Sequence, residues 1–263
     1  MSELLDVSAL DDTGCAALRR LVTTLADSKR LMGIRYSDWL LGAPSIETGI
    51  ATSSMAQDEW GHARLLYSML KELDVDPVEV EHDRSDEDYA SVDALDEPFQ
   101  NWAAVIAGMV VVDGALTTAL EAFSRGTFEP ATTRVPKMLA EEEFHESLAV
   151  AWYRRLASSG SADARDRLKD ATEATLPSVL AWLGTDDAQA RVLVEAGVTE
   201  PGADQVEAFQ DLVRDILAEG GVDVDAAEAA TEWDEARGRG PGHPGSEATE
   251  RARGDRNRML FVE

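Results

Sequence analysis

Apolar residues recur at intervals of three and four along four long stretches of the chain, which is the pattern of amphipathic α-helices. The stripe of the first stretch consists of Leu18, Val22, Leu25, Met32, Tyr36 and Trp39. The sequence Gly42-Ala43-Pro44 ends that stretch. The four predicted helices cover about residues 14–42, 44–73, 98–125 and 131–158.

The rest of the chain predicts two further helices and two irregular segments. The helices cover about residues 161–183 and 203–219, after the four long ones. Residues 74–97 are acidic and lack periodicity, which predicts a long loop. The fold class is therefore all-α, with a helical domain at 1–235 and a Gly/Arg-rich tail at 236–263 that we expect to be mobile or bound to a partner.

The most apolar segment runs from Ala103 to Leu120 and contains a single charge, Asp113. Its length approaches that of a membrane span, but its glycines, threonines and aspartate favour a buried helix of a soluble bundle. A buried carboxylate requires a cation or a proton. Asp113 is therefore expected in a metal site or charge cluster; the alternative is that it caps or bends the helix at Gly114.

Acidic residues outnumber basic ones by 51 to 24, which gives a formal net charge of -27. Such a surface repels nucleic acid and anionic membranes, so neither is an expected partner. The acidity is typical of a solvated, halophile-type shell; the alternative is a surface for cations or a basic partner. The single cysteine, Cys15, and a start without a basic and apolar leader predict a cytoplasmic protein.

Two of the four histidines end the same motif, Glu-x-x-His. One motif joins Glu59 to His62 in the second helix, and the other joins Glu142 to His145 in the fourth. Residues three apart share a helix face, and this motif on two helices is typical of di-iron and di-manganese bundle proteins. The predicted metal ligands are Glu59, His62, Asp113, Glu142 and His145. The other two histidines, at 82 and 243, are expected to be solvated.

The first helix does not supply the carboxylate that such a site needs. Lys29 occupies the corresponding position on the apolar stripe, and the nearest acids, Asp27 and Asp38, lie off that stripe. Lys29 either extends its ammonium to water or directs it into the cluster of Glu59, Asp113 and Glu142 in place of a metal. The sequence leaves both alternatives open.

Four segments together resemble a known family. They are LADSKRLMGIRYSDW, IATSSMAQDEWGHARLLYSMLKEL, WAAVIAGMVVVDGALTTAL and MLAEEEFHESLAVAWYRRL, of which MAQDEWGHARLLYS is the most specific. They resemble the phenylacetic acid catabolic A and C subunits, the ferritin-like chains of phenylacetyl-CoA epoxidase. The resemblance covers about residues 21–158, and a weaker likeness around Gly238 to Glu247 is to the end of the C subunit.

The resemblance implies a ferritin-like four-helix bundle with additional C-terminal helices, acting as a subunit of a multicomponent monooxygenase. Implied with it are a non-haem di-iron centre, an aromatic acyl-CoA substrate, a homologous ferritin-like oxygenase subunit and an electron-donating reductase. In the family, the A subunit carries the di-iron site and the C subunit is structural. The chain is closer overall to the C subunit, although its predicted ligands match positions of the A subunit.

The glutamate of the first helix in the A subunit corresponds to Lys29 or Arg30 here, and neither can ligate a metal at neutral pH. Three hypotheses follow. The chain is a metal-containing epoxidase subunit, a non-catalytic scaffold that pairs with a catalytic homologue, or an independent ferritin-like metal oxidase or storage protein. The resemblance and the incomplete ligand set weigh against the third.

Overall fold

The computed structural model describes residues 4–255, and no β-strand occurs among them. Its helices are α1 (Asp12–Ser37), α2 (Ile46–Met69), α3 (Pro77–His82), α4 (Trp102–Gly108), α5 (Gly114–Ser124), α6 (Glu129–Ser159), α7 (Ala162–Leu183), α8 (Ala188–Glu195), α9 (Gly202–Glu219) and α10 (Ser246–Arg253). The predicted all-α class is therefore confirmed, with a bundle of long helices and further helices after it.

Helix α1 lies at the centre of the molecule. The apolar stripe predicted for it is buried from Leu18 to Tyr36, and between Val22 and Tyr36 every residue except Arg30 is buried. Helices α2, α5, α8 and α10 all contact it. Polar side chains of α1 therefore require partners inside the protein, even where they lie off the apolar stripe.

The apolar segment forms one continuous helix from Trp102 to Ser124, in which a π-helical turn, Met109–Asp113, joins α4 to α5. By length and composition it is the one helix of the described residues that could cross a membrane, but 83% of its most apolar window is buried inside the protein. It is therefore the core helix that its composition predicts. Gly108 permits close packing here, because a Cβ would lie 2.3 Å from the ring of Phe99.

The segment predicted as one long loop contains a short helix. Helix α2 ends at Met69, and α3 follows within the acidic region, where Asp76 caps it and Pro77 occupies its first turn. His82, at the end of α3, was expected to be solvated. Instead, its Nδ1 lies 2.8 Å from the backbone carbonyl of Arg253. His243 is exposed, in agreement with the prediction.

The described part of the C-terminal tail packs against the bundle, in contrast to the expectation of a tail that is mobile or bound to a partner. Arg239 is fully buried and pairs with Asp96 at 2.5 Å. Arg30 of α1 donates a hydrogen bond of 2.7 Å to the carbonyl of Ala252 in α10. These two arginine contacts hold the tail against the rest of the protein. Residues 256–263 of the tail lie outside the described part of the chain.

Candidate metal centre

The structure brings the five predicted ligands and Lys29 together in the interior of the bundle. Helix α1 supplies Lys29, α2 and α6 each supply a Glu-x-x-His motif, and the π-helical turn supplies Asp113. The side chains that meet are Lys29, Glu59, His62, Asp113, Glu142 and His145, each exposed by 3% or less. Their convergence is a fact of the fold, whereas their ligation of a metal stays a prediction.

Asp113 is positioned by the π-helical turn at whose end it lies. A π-helical turn holds one more residue than an α-helical turn, and such turns often occur at functional sites. The side chain of Asp113 forms no capping hydrogen bond. It accepts hydrogen bonds instead from Lys29 and Tyr36, both at 2.7 Å. Asp113 therefore belongs to the charge cluster, and the alternative of a helix cap is wrong.

The ammonium of Lys29 binds three carboxylates at once. Its Nζ donates to Glu142 Oε1 at 2.5 Å, to Asp113 Oδ1 at 2.7 Å and to Glu59 Oε1 at 3.1 Å. An ammonium has three hydrogens and no lone pair, so these bonds use its full capacity. Lys29 therefore occupies the centre of the cluster and does not extend to water.

The imidazole of His145 lies among the same carboxylates. Its Nδ1 is 3.2 Å from Glu142 Oε2, 3.3 Å from Glu59 Oε1 and 3.4 Å from Asp113 Oδ2. The buried Nδ1 has no hydrogen-bond partner, although it lies close to all three carboxylates. On the outer side, its Nε2 lies 3.5 Å from Asp58 Oδ2.

His62 connects the cluster to the surface between α2 and α6. Its Nδ1 lies 3.0 Å from Glu142 Oε1, and its Nε2 lies 2.8 Å from Glu141 Oε2. Sequence reasoning missed Glu141, which stands in a run of three glutamates, and also missed Tyr36, which belongs to the apolar stripe. A tyrosine on a buried face usually needs a partner for its hydroxyl, and that is the one signal that could have pointed to Tyr36.

The charges of the cluster nearly balance without a metal. Burial opposes the charged form of His145, but contact with Asp113, Glu142 and Glu59 raises its pKa to about 12. Burial and the charge of Asp113 raise the pKa of Glu59 to about 7, although Lys29 opposes this rise. Burial also disfavours ionised Glu142, yet Lys29 and the histidines hold its pKa well below the ordinary value. Burial likewise opposes the ionised form of Asp113, but Lys29 and His145 hold its pKa below the ordinary value, so Lys29 and His145 face two carboxylates with lowered pKa values and one, Glu59, that titrates near neutrality.

The donor atoms suit one metal ion better than two. Glu59, Asp113, Glu142 and His145 each offer an atom within 4.8 Å of the others, and unpartnered Glu59 Oε2, Glu142 Oε2 and His145 Nδ1 are among their buried atoms. These residues could hold a metal ion. A pair of ions does not fit beside Lys29, because its ammonium shares the same carboxylates, cannot ligate, and would repel the metals at low dielectric.

No other acid of α1 completes the set. Asp27 is fully buried, but its carboxylate accepts hydrogen bonds from Tyr67, from the guanidinium of Arg84 and from the backbone N–H of Ala90. Asp38 pairs with Arg251 at the surface. Both acids are therefore engaged elsewhere, and α1 contributes Lys29 and the hydroxyl of Tyr36, but no carboxylate, to the cluster.

The fold and this buried group of carboxylates, histidines and one lysine define a ferritin-like helical bundle protein. The chain belongs to the phenylacetic acid catabolic protein family, whose model matches residues 1–253. The resemblance found in the sequence is thus confirmed, and the family implies a subunit of an oxygenase in phenylacetate catabolism. The match does not distinguish the A type from the C type. No curated protein matches the chain.

The free energy of unfolding is expected to fall as the pH rises from 6 to 9. The folded pKa of His145, about 12, lies above the ordinary 6.5, and that of Glu59, about 7, lies above the ordinary 4.5. Between these unfolded and folded values the folded chain binds more protons than the unfolded chain, so raising the pH favours unfolding. Urea unfolding at constant salt concentration and several pH values measures this slope.

The variant His145→Gln serves as the comparison for this pH dependence. It removes the group with the larger rise in pKa, so the loss of stability above pH 6.5 should become shallower. If the wild type and His145→Gln lose stability equally over this range, the bound proton does not reside on His145.

Proposed function

We propose that the chain is a structural subunit of a multicomponent monooxygenase that epoxidises the ring of phenylacetyl-CoA, with Lys29 in the place of a metal pair. One observation carries the proposal: the buried ammonium of Lys29 donates to Glu59, Asp113 and Glu142 at once. A cation at this point satisfies the carboxylates that a di-iron centre would otherwise use. Membership of the family supplies the pathway and the class of complex.

A subunit of this kind requires partners for the chemistry. The proposed partners are a homologous ferritin-like oxygenase subunit with a complete di-iron ligand set and an electron-donating reductase. The substrate bound by the complex is an aromatic acyl-CoA thioester. The proposed role of this chain is to present a rigid bundle to the catalytic subunit. Its own interior requires neither a metal nor electrons, because Lys29 binds the carboxylates there.

A catalytic role is the second candidate, and one observation favours it. Four donor atoms of Glu59, Asp113, Glu142 and His145 lie within 4.8 Å of one another, as metal ligands do. Loading this set requires Lys29 to leave its three carboxylates, and its departure would expose the ligands to iron. The metal content of the purified chain therefore separates the two roles.

We expect the wild-type chain, expressed with iron and purified at high salt, to contain well under one iron per chain. Lys29→Glu should contain more iron, because it restores a carboxylate at the first-helix position and removes the competing cation. Lys137→Glu is the matched control, since this lysine is 75% exposed and should leave the iron content unchanged. Elemental analysis of the three proteins, with circular dichroism to confirm folding, measures the effect.

Two irons per chain in the wild type would refute the structural role and make the chain a catalytic subunit. Equal iron in the wild type and Lys29→Glu, in a variant that remains folded, would show that Lys29 does not fill the first-helix position. The proposal requires both a metal-poor wild type and a gain confined to Lys29→Glu.

A further inference from the structure

An exposed apolar patch lies where the turn of residues 38–45 joins α1 to α2. Its four large apolar residues are Leu40, Leu41, Ile46 and Ile50, of which Leu41 is 94% and Ile46 is 81% exposed. Together the four expose on the order of 500 Å² of largely apolar surface, a patch of the size that often has a function on a soluble protein. The charge cluster in the interior does not account for this exposure.

The same four residues line an open groove of about 500 Å³. The other residues that line it are small or uncharged, among them Ala43, Ser53 and Gln57. Leu41 is almost fully exposed, so it stands out from the surface beside the groove that it helps to line. The patch therefore offers both a projecting apolar side chain and an uncharged depression.

Contacts with the bundle hold the turn in shape. Trp39 packs on Trp102, with their ring centroids 6.0 Å apart. A Cβ on Gly42 would lie 3.1 Å from the ring of Trp39, and a Cβ on Gly49 would clash with the carbonyl oxygen of Leu40. The turn thus packs closely on itself and on α2. Because a fixed backbone presents the apolar side chains, the entropic cost of an association through them is low.

Charge is absent from the lining of the groove, although the chain has 51 acidic residues. The acids nearest to it in sequence are Asp38, Glu47 and Asp58. Asp38 pairs with Arg251 at 2.6 Å, and Asp58 lies 3.5 Å from Nε2 of His145. Glu47 is exposed but does not line the groove. The patch is therefore an uncharged area on the surface of a strongly acidic protein.

The charge of the chain determines which partner fits this area. A basic partner would be attracted to the acidic parts of the surface and would gain nothing from an uncharged groove. A second copy of this chain has its own net charge of -27, so the two copies repel each other wherever acids face acids. They can approach at the lowest cost through an uncharged contact. Two copies that meet through this patch would bury about 1,000 Å² in total, which is the lower limit for a specific interface.

We propose that the patch is the contact between two copies of this chain in a reversible dimer with two-fold symmetry. In such a dimer each copy contributes the same surface, which must therefore be complementary to itself. Leu41 and the groove beside it meet this requirement, because Leu41 of each copy can enter the groove of the other. The proposal does not rest on the structural or catalytic role of the chain, since no residue of the patch belongs to the charge cluster.

Sedimentation equilibrium of the full chain over a range of protein concentrations measures the dimer. Its dissociation constant should fall as the salt concentration rises, because salt screens the repulsion between two acidic copies and leaves the apolar contact intact. Leu41→Gln should raise the dissociation constant by about tenfold or more, since a symmetric contact loses this side chain twice. Val78→Gln is the matched control, because this apolar residue is 56% exposed on α3 and lies outside the groove.

Ile50→Gln is the second patch variant, and it should weaken the dimer in the same direction. Both patch variants should fold as the wild type does, since Leu41 and Ile50 are exposed; circular dichroism checks this. A wild type that stays monomeric at every protein and salt concentration would overturn the proposal and leave the groove to residues 256–263 or to a different protein. A dimer that Val78→Gln weakens as much as Leu41→Gln, or that neither patch variant weakens, would place the contact elsewhere and overturn it as well.

Discussion

Replacing Lys29 by methionine is expected to lower the free energy of unfolding by about 3–5 kcal/mol at neutral pH, the magnitude typical of removing one partner of a buried ion pair. The ammonium is fully buried and donates to Glu59, Asp113 and Glu142. Methionine keeps the length and apolar stem but leaves the three carboxylates with only the imidazoles of His62 and His145 beside them. Urea unfolding at fixed salt concentration and pH 7 measures the loss.

Lys137→Met is the control, because its exposed ion pair with Glu141 should contribute well under about 1 kcal/mol. Adding Asp113→Leu to Lys29→Met should recover part of the lost stability, since one uncompensated carboxylate then leaves with the ammonium. A loss below about 1 kcal/mol in Lys29→Met would mean that the cluster does not depend on this charge. Simple addition of the two single effects would mean that Lys29 and Asp113 do not interact.

The main helices and most of the charge cluster could be predicted from the sequence because both depend on local periodicity. A glutamate three residues before a histidine must share its helix face. Two such motifs on separate core helices are therefore expected to meet in the interior of the bundle. Asp113 was recognisable as the single charge in an apolar run. The role of Lys29 stayed open because a lysine side chain is long enough to reach either water or the centre of a bundle.

Contacts between segments distant in sequence could not be predicted in the same way. Arg239 reaches Asp96 and the carbonyl of Tyr89, which are more than a hundred residues away, and nothing in the Gly/Arg-rich composition around it distinguishes a packed turn from a free tail. Because the chain has 51 acidic residues, the few buried ones cannot be recognised from composition. Asp27 lies off the apolar stripe of α1, so the sequence pattern predicts an exposed acid. In the structure, the segments that cover α1 bury it completely.

Buried ion pairs account for the positions of both Asp27 and Lys29 in α1. The interior of the bundle contains two separate ionic groups on one helix, two residues apart: Asp27 with Arg84, and Lys29 with its three carboxylates. Asp27 and Arg84 pair with each other, whereas Lys29 and His145 together face the three carboxylates of the cluster. Helix α1 therefore contacts the charge cluster through Lys29 and holds the loop after α3 through the pair of Asp27 and Arg84.

Replacing Asp27 by leucine is expected to destabilise the protein by about 3–5 kcal/mol, because it removes one partner of a buried charge pair. The carboxylate is fully buried and satisfies two N–H groups of Arg84, the hydroxyl of Tyr67 and the backbone N–H of Ala90 at 2.8 Å. Burial and the neighbouring charge of Asp27 raise the pKa of Tyr67 well above its ordinary value, so the tyrosine remains a donor. Leucine fills a similar volume but accepts none of these bonds.

Asp163→Leu is the matched control, since it removes the carboxylate of another aspartate–arginine pair, with Arg167, in which both side chains are more than half exposed. That pair should contribute at most about 1 kcal/mol. Thermal and urea unfolding of both variants at the same high salt concentration compare the buried pair with the exposed one. Because salt screens exposed pairs more than buried ones, the loss in Asp27→Leu should persist as salt concentration rises. Equal, small losses in both variants would show that water reaches Asp27 and that the segment after α3 is not anchored through it.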